Sequence, residues 1–490
     1  MVRLILAGVG IVLAVLAGLV GYRAYNFTAS PPPATVQIPD LTSYAIDADA
    51  AAHRLGEAIQ FRTITIVGDD GEPAEFEHFQ AWMQARYPAF HAAANRELIG
   101  GRALLYEWRG SDPGLPPLLL LAHQDVVPAP EDTRAAWSVD PFAGIVRDGA
   151  IWGRGAIDDK GSLVGLLEAA EYLAASGASP KRTILFAFGD DEEFGGEGAI
   201  AIAAALAQQQ RRAWFVLDEG MAAIDNHPLT GKPASLIGIA EKGFATLRVR
   251  AVAQPGHSSM PPPETAVSSL AAAVTRIHSM PIERGLEGGP ALPMMRALSP
   301  DISLLNRVAI SNEWLFSPLL RQRMAGNPVA QALLGTTVAP TMIDGGVRPN
   351  VLPAEATAMI NFRIHQRDTA ESLMTRARNA VSGLDGISLE WAAPPNEASP
   401  ISSTTSSSYA LIAALSRASL PDAPVAPGLV VGGTDARHYS EVAENVYRFQ
   451  PLLLSTGDMA GIHGVNEHVS IENFERMIRF YIGLMQAGAM

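Results

Sequence analysis

Short apolar runs and helical stripes alternate along most of this chain. Leu118 to Ala122 is unbroken apolar sequence, as in a strand buried on both faces. From Ser162 to Ala175 the spacing turns helical, with Leu163, Leu166, Leu167, Ala170 and Leu173 on one side and Gly177 placed to end the helix. Thr183 to Phe188 is the next apolar strand, Gly198 to Gln208 an alanine-rich helix, and Trp214 to Leu217 another strand. The alternation predicts an α/β layer with a mainly parallel sheet.

Near Glu241 the texture changes. Phe244 to Ala253 alternates, with Leu247, Val249 and Ala251 set against Arg248 and Arg250, as in a half-exposed antiparallel strand. A helix is predicted from Glu264 to His278, a second alternating strand from Glu355 to Arg363, and a second helix from Thr369 to Ser382. Two such strand–helix pairs predict a small α+β lid domain over residues 241–396, inserted into the first. Met280 to about Pro340 is rich in proline and methionine without a clear period, and reads as a further insertion within the lid. After Pro400 the α/β texture returns, so the first domain is discontinuous, 46–240 and 397–490.

The chain starts differently. Leu4 to Tyr22 carries no charge and lies between Arg3 and Arg23, close to the ~20 residues a membrane helix needs. Residues 1–27 read as an uncleaved signal anchor, and secondarily as a signal peptide. An anchored body then faces away from the cytoplasm (periplasmic, extracellular or lumenal), and a cleaved one is secreted. Residues 28–45, with Pro31, Pro32 and Pro33, read as a semi-rigid linker.

Composition narrows the chemistry. At 490 residues the chain exceeds what one core usually serves, and 48% apolar against 18% charged residues marks a globular body. A net charge of -14 argues against nucleic acid. Cysteine is absent, which excludes thiolate metal sites and leaves His, Asp and Glu as strong ligands.

Those residues gather at strand ends. His123-Gln124-Asp125 follows the first strand, Asp190-Asp191-Glu192-Glu193 the second and Asp218-Glu219 the third; Asp158-Asp159 sits where a glycine-rich loop enters a helix. In parallel α/β sheets ligands bind beyond the carboxyl ends of strands, so these clusters converge. Each alone has an ordinary reading as a cap or a solvated surface pair. Together, so many carboxylates call for divalent cations, zinc first, with manganese or cobalt fitting the same ligands.

With Gly153-Arg154-Gly155, Gly256-His257-Ser258-Ser259, Gly345 to Pro353 and Ile462-His463-Gly464 added, the chain resembles the dizinc metallopeptidase family of glutamate carboxypeptidase, aminoacylase and acetylornithine deacetylase. Gly432 to Tyr439 and the insertion look most like its carboxypeptidase S branch, which includes enzymes that condense or hydrolyse N-fatty-acyl amino acids. The resemblance implies that His123 and Asp218 bind one zinc, Glu193 and His463 the other, and that Asp158 bridges both. It implies Asp125 as the partner of the far nitrogen of His123. Glu192 becomes the general base toward the water between the metals, and His257 the oxyanion donor. Asn350 and Arg363 would hold the polar end of the substrate, and Arg437 its free carboxylate.

The expected activity is cleavage of an N-acyl amino acid or a carboxyl-terminal peptide bond. The expected partners are that small molecule, the membrane through the N-terminal helix, and a second copy through the lid if the chain dimerises as some relatives do. The rival reading is an inactive, membrane-tethered receptor for N-acyl amino acids on the same scaffold. His438 is expected to orient Arg437 rather than bind metal, His468 is not needed as a ligand, and His227 is expected in a solvated loop.

Overall fold

The computed structural model describes residues 2–27, 36–65, 73–324 and 326–490. Residues 28–35, with the three prolines of the expected linker, lie outside the described residues. The apolar runs pair into a ten-stranded sheet. Its centre is parallel: Leu118–His123 lies between Ile184–Gly189 and Phe215–Asp218, and Val446–Arg448 continues beyond Phe215–Asp218. The flanks are not. Ala103–Trp108 runs antiparallel to Ile184–Gly189, and Ala234–Glu241 antiparallel to Val446–Arg448. The sheet is therefore mixed rather than mainly parallel, because hairpin partners such as Asn95–Ile99 with Ala103–Trp108 extend its edge without a crossover helix.

The Lys160–Ala175 helix packs on this sheet through the predicted stripe, with Leu163, Leu166, Leu167, Ala170 and Leu173 all buried. Burying each leucine contributes roughly 1.5–3 kcal/mol. Gly177, at φ +80°, ends the helix, and the Ala178 N–H reaches back to the Leu173 carbonyl. The Ile471–Ala489 helix lies against Lys160–Ala175 and brings the C-terminus into the same core.

A second sheet is antiparallel, in the order Thr337–Asp344, Glu355–Ile364, Gly243–Val252, Ile387–Trp391. The alternation predicted for Gly243–Val252 puts Leu247, Val249 and Ala251 inward, where helices Ala266–His278 and Ala370–Ala380 cover them. The aperiodic 280–340 stretch contains four short helices, Ala291–Ala297, Leu304–Ser311, Glu313–Met324 and Pro328–Leu334. Their apolar side chains pack on Ala234, Leu236 and Ala426 of the first sheet and on Phe27, not into the core of the second sheet. Position in the chain did not reveal which layer buries them.

The N-terminal helix Val2–Tyr25 reaches mean hydropathy 2.4 over an 18-residue window within Ile5–Tyr25 and is long and apolar enough to cross a membrane.

Candidate metal centre and active site

The three strand ends meet as the parallel strands require. His123 and Asp218 are the last residues of their strands, and Glu192 and Glu193 follow Ile184–Gly189. Asp158 enters from the loop before Lys160–Ala175, through a cis peptide to Asp159. Its carboxylate faces two histidines. Asp158 Oδ1 lies 3.0 Å from His123 Nε2, and Oδ2 lies 3.1 Å from His463 Nε2. His463 Nε2 is also 2.9 Å from Glu193 Oε2. Two donor groups result, His123–Asp158–Glu219 and Asp158–Glu193–His463, the candidate ligand atoms of each within 4.8 Å of one another.

Glu219, and not the neighbouring Asp218 that the resemblance implied, falls within the donor group of His123 and Asp158. The Asp218 carboxylate takes backbone donors: Oδ1 accepts the Glu219 N–H at 2.9 Å and Oδ2 the Ala436 N–H at 2.8 Å. Adjacent carboxylates at a strand end point different ways, and the backbone of a distant segment takes this one. The sequence signal for Glu219 was present in the same dipeptide; spacing alone did not separate the two.

The acidic run divides in the same manner. Asp191 accepts the N–H of Glu197 and Gly198 and so caps the Glu197–Gln208 helix, while Asp190 pairs with Arg102 at 3.1 Å. Glu192 and Glu193 are left for the site. Their N–H groups both donate to the Asp125 carboxylate at 3.2 Å, which also lies 3.3 Å from His123 Nδ1. The His123 ring additionally has the Asp125 carbonyl 3.0 Å from Nδ1. Asp125 therefore orients the imidazole and fixes the turn carrying both glutamates.

The Asp158 loop hangs on one buried side chain that the sequence reading missed. Glu467 accepts Arg154 Nη1 at 2.7 Å and the N–H groups of Gly155, Ile157 and Asp158 at 2.9–3.2 Å. Glu467→Ala would leave the Arg154 guanidinium buried and uncompensated. A loss of about 3–5 kcal/mol of stability is expected, read from urea unfolding. His463, three residues before Asn466 in the following turn, adopts φ +57°, an uncommon backbone for a residue with a Cβ.

Electrostatically the site is a concentration of acids. Burial pushes the carboxyls of Glu192, Glu219, Asp159 and Asp435 well above the usual range, and neighbouring carboxylates add to the effect. Burial opposes charge on His123, yet the Asp125 and Asp158 carboxylates outweigh it and raise its pKa. His463 is raised to about 10, first by its hydrogen bond to Asp158 and then by that to Glu193. Imidazole and carboxylate donors clustered this closely, with no thiolate, fit a pair of divalent cations of the zinc, manganese or cobalt type.

Arg437 lies beside the acidic turn. Its Nε donates to His438 Nε2 at 2.9 Å, and Nη2 lies 3.4 Å from the Gly195 carbonyl. Burial and then the Arg437 charge hold the His438 pKa at about 4, so the neutral ring is the acceptor. Gly196, at φ +76°, leaves room; a Cβ there would come within 3.3 Å of Arg437 Nη2. Arg363 stacks over Phe244 at 4.8 Å, and after burial the Arg437 charge is the cause that lowers its pKa. The two guanidiniums are thus electrostatic neighbours.

His257 and Asn350 are placed together, but elsewhere. His257 is exposed on a two-stranded ribbon with Val351–Leu352, and the Ser258 N–H donates to the Asn350 carbonyl. Among the described residues neither bonds to the metal-ligand group. His468 stacks on Trp152 at 4.1 Å. His227 is buried, not solvated, because its turn folds back and Nδ1 accepts the Leu229 N–H.

Next to Asp158 and Glu219 opens a cavity of about 350 Å³ with an apolar wall that includes Met221, Ile224, Val430, Leu454 and Met459.

An α/β sheet with paired carboxylate–imidazole clusters at its strand ends suits a metal-dependent hydrolase. Residues 119–487 match Peptidase family M20/M25/M40, and the chain belongs to this family of hydrolases. It is 36% identical over 444 residues to the mouse N-fatty-acyl-amino acid synthase/hydrolase PM20D1, covering 89% of this chain and 87% of that one. To the probable carboxypeptidase S-like 2 of Dictyostelium discoideum it is 34% identical, covering 94% and 90%. Human carnosine dipeptidase 1 shares the fold, with TM-score 0.63 at 15% identity over 90% of this chain and 96% of that one.

Proposed function

We propose that this chain is a two-metal amidohydrolase that cleaves N-acyl amino acids, including those with long acyl chains, and carboxyl-terminal peptide bonds. The observation that carries the reading is the Asp158 carboxylate, with one oxygen toward His123 and the other toward His463. In this reading His123, Asp158 and Glu219 hold one cation, and Asp158, Glu193 and His463 the other. When bound, the pair polarises the scissile carbonyl and makes water a nucleophile at neutral pH.

The chain supplies the rest. Glu192, half-buried beside the donors without belonging to either group, takes a proton from the attacking water and returns it to the leaving nitrogen. Arg437, steadied by His438, pairs with the substrate carboxylate, and Arg363 adds charge nearby. Asn350 holds the polar end. His257 is the oxyanion donor, brought in by a partner copy or by closure of the 241–396 segment as a lid. The apolar cavity beside Asp158 takes the acyl chain, and its volume is within the usual range for ligand sites. The mouse relative's name, which specifies fatty-acyl amino acids, supports that choice. The apolar N-terminal helix anchors the body outside the cytoplasm.

The test is a panel of N-acyl amino acids and dipeptides, with and without a chelator. Turnover that survives complete metal removal would overturn the reading. Within the panel, Arg437→Lys should lower kcat/KM about 10–100-fold on substrates with a free carboxylate, through lost bidentate pairing. The corresponding amides should change little.

A pH dependence follows from the histidines. His463, raised to about 10, is protonated in the metal-free chain at neutral pH, and the carboxylate neighbours of His123 shift it toward its protonated form. Metal must displace those protons, so zinc uptake should release protons and tighten as pH rises from 6 to 8. Calorimetry of the metal-free chain in buffers of different ionisation enthalpy would count them; zero release would contradict the assignment.

A further inference from the structure

The helices of the 280–340 stretch do not cover all of their apolar surface. Leu304 and Leu305 are 65% and 71% exposed, and Trp314, Leu315 and Leu319 on the next helix are 39–52% exposed. This surface adjoins the N-terminal helix. Leu304–Ser311 packs along it, Asn312 Nδ2 donates to the Val20 carbonyl at 3.2 Å, and Arg23 Nε donates to the Ser311 carbonyl at 3.1 Å. The least exposed residues of the N-terminal helix, Leu16, Val20 and Ala24, are spaced by four and form one stripe. The other described side chains of the helix are exposed along its length.

Depth follows from helix geometry. The 21 residues Ile5–Tyr25 extend about 32 Å at 1.5 Å each, close to the ~30 Å of a bilayer core. A helix bonded to Val20 and Arg23 therefore sits at the end of that span, where hydrocarbon gives way to headgroups. Tyr22 lines one cavity with Trp314, so an aromatic from each element stands at the same level, as interfacial aromatics do.

We propose that Leu304–Ser311 and Glu313–Met324 form a second contact with the bilayer, lying in the leaflet nearest the body and inserting Leu304, Leu305, Trp314, Leu315 and Leu319. The contact rests on the reading of Val2–Tyr25 as an anchor. The occupant is lipid, because these exposed side chains lie on helices packed, directly or through one another, against a helix whose own apolar length matches a bilayer. A body held at two places has its orientation to the membrane fixed.

The cysteine-free chain makes the test direct. Single variants Leu13→Cys, Leu305→Cys, Leu315→Cys and Val347→Cys of the full chain, each labelled with a polarity-sensitive fluorophore, would be placed one copy per lipid nanodisc. Val347 is 93% exposed and serves as the aqueous reference. The expected result is loss of iodide quenching with a blue shift at positions 13, 305 and 315, and full quenching at 347. Protection at 13 with full quenching at 305 and 315 overturns the second contact and leaves the anchor standing. Full quenching at 13 overturns the anchor, and the second contact with it. Hydrolytic activity of each labelled variant, measured alongside, separates a misfolded sample from either outcome.

Discussion

Glu192→Gln should lower kcat by about 10²–10⁴-fold, the usual contribution of a positioned general base, without changing metal content. The two readouts separate because Glu192 belongs to neither donor group, while its N–H holds the turn through Asp125 and glutamine keeps that N–H. The side chain is isosteric, so its packing is retained. Single-turnover kinetics with elemental analysis of the same sample would check both. Turnover near the parent level would remove Glu192 from the mechanism. A parent chain that binds N-acyl amino acids without turning them over would instead favour the receptor reading.

Asp158→Ala should cost both metals at once. Among the described residues it is the one shared by the two donor groups, its oxygens at 3.0 Å from His123 and 3.1 Å from His463. Substituting a residue that merely orients a ligand typically costs 10–100-fold in metal affinity, so losing a shared ligand should exceed about 100-fold at each site. Activity should fall to background and excess zinc should not restore it. The neighbouring pair gives a sharper comparison. Glu219→Ala should lose one equivalent of metal, whereas Asp218→Ala should chiefly loosen the Ala436 backbone that its Oδ2 anchors. Retention of both metals in the Glu219 variant would return the ligand role to Asp218.

Much of the architecture was legible because it is written in local periods. A strand buried on both faces must be an apolar run, hence Leu118–His123 and Ile184–Gly189. A helix on a sheet must carry a stripe, hence Leu163 to Leu173. Parallel strands present their carboxyl ends to one edge, so polar clusters after such runs had to converge. The sheet flanks were not legible, since a strand buried in an antiparallel pair has the same composition as one in a parallel pair. Nor was the packing of residues 291–334, whose short helices bury against the first sheet rather than the second.

By itself, then, the sequence determined which side chains were available and which edge of the sheet would gather them, because those follow from pattern and connectivity. Tertiary structure alone decided the use of each. It spent Asp190, Asp191 and Asp218 on an arginine and on backbone N–H groups, and turned Glu219 toward His123. It hung the Asp158 loop on Glu467, more than three hundred residues away. The reason is that a carboxylate's role is fixed by which donors surround it. Those donors come from segments distant in the chain and meet only on folding.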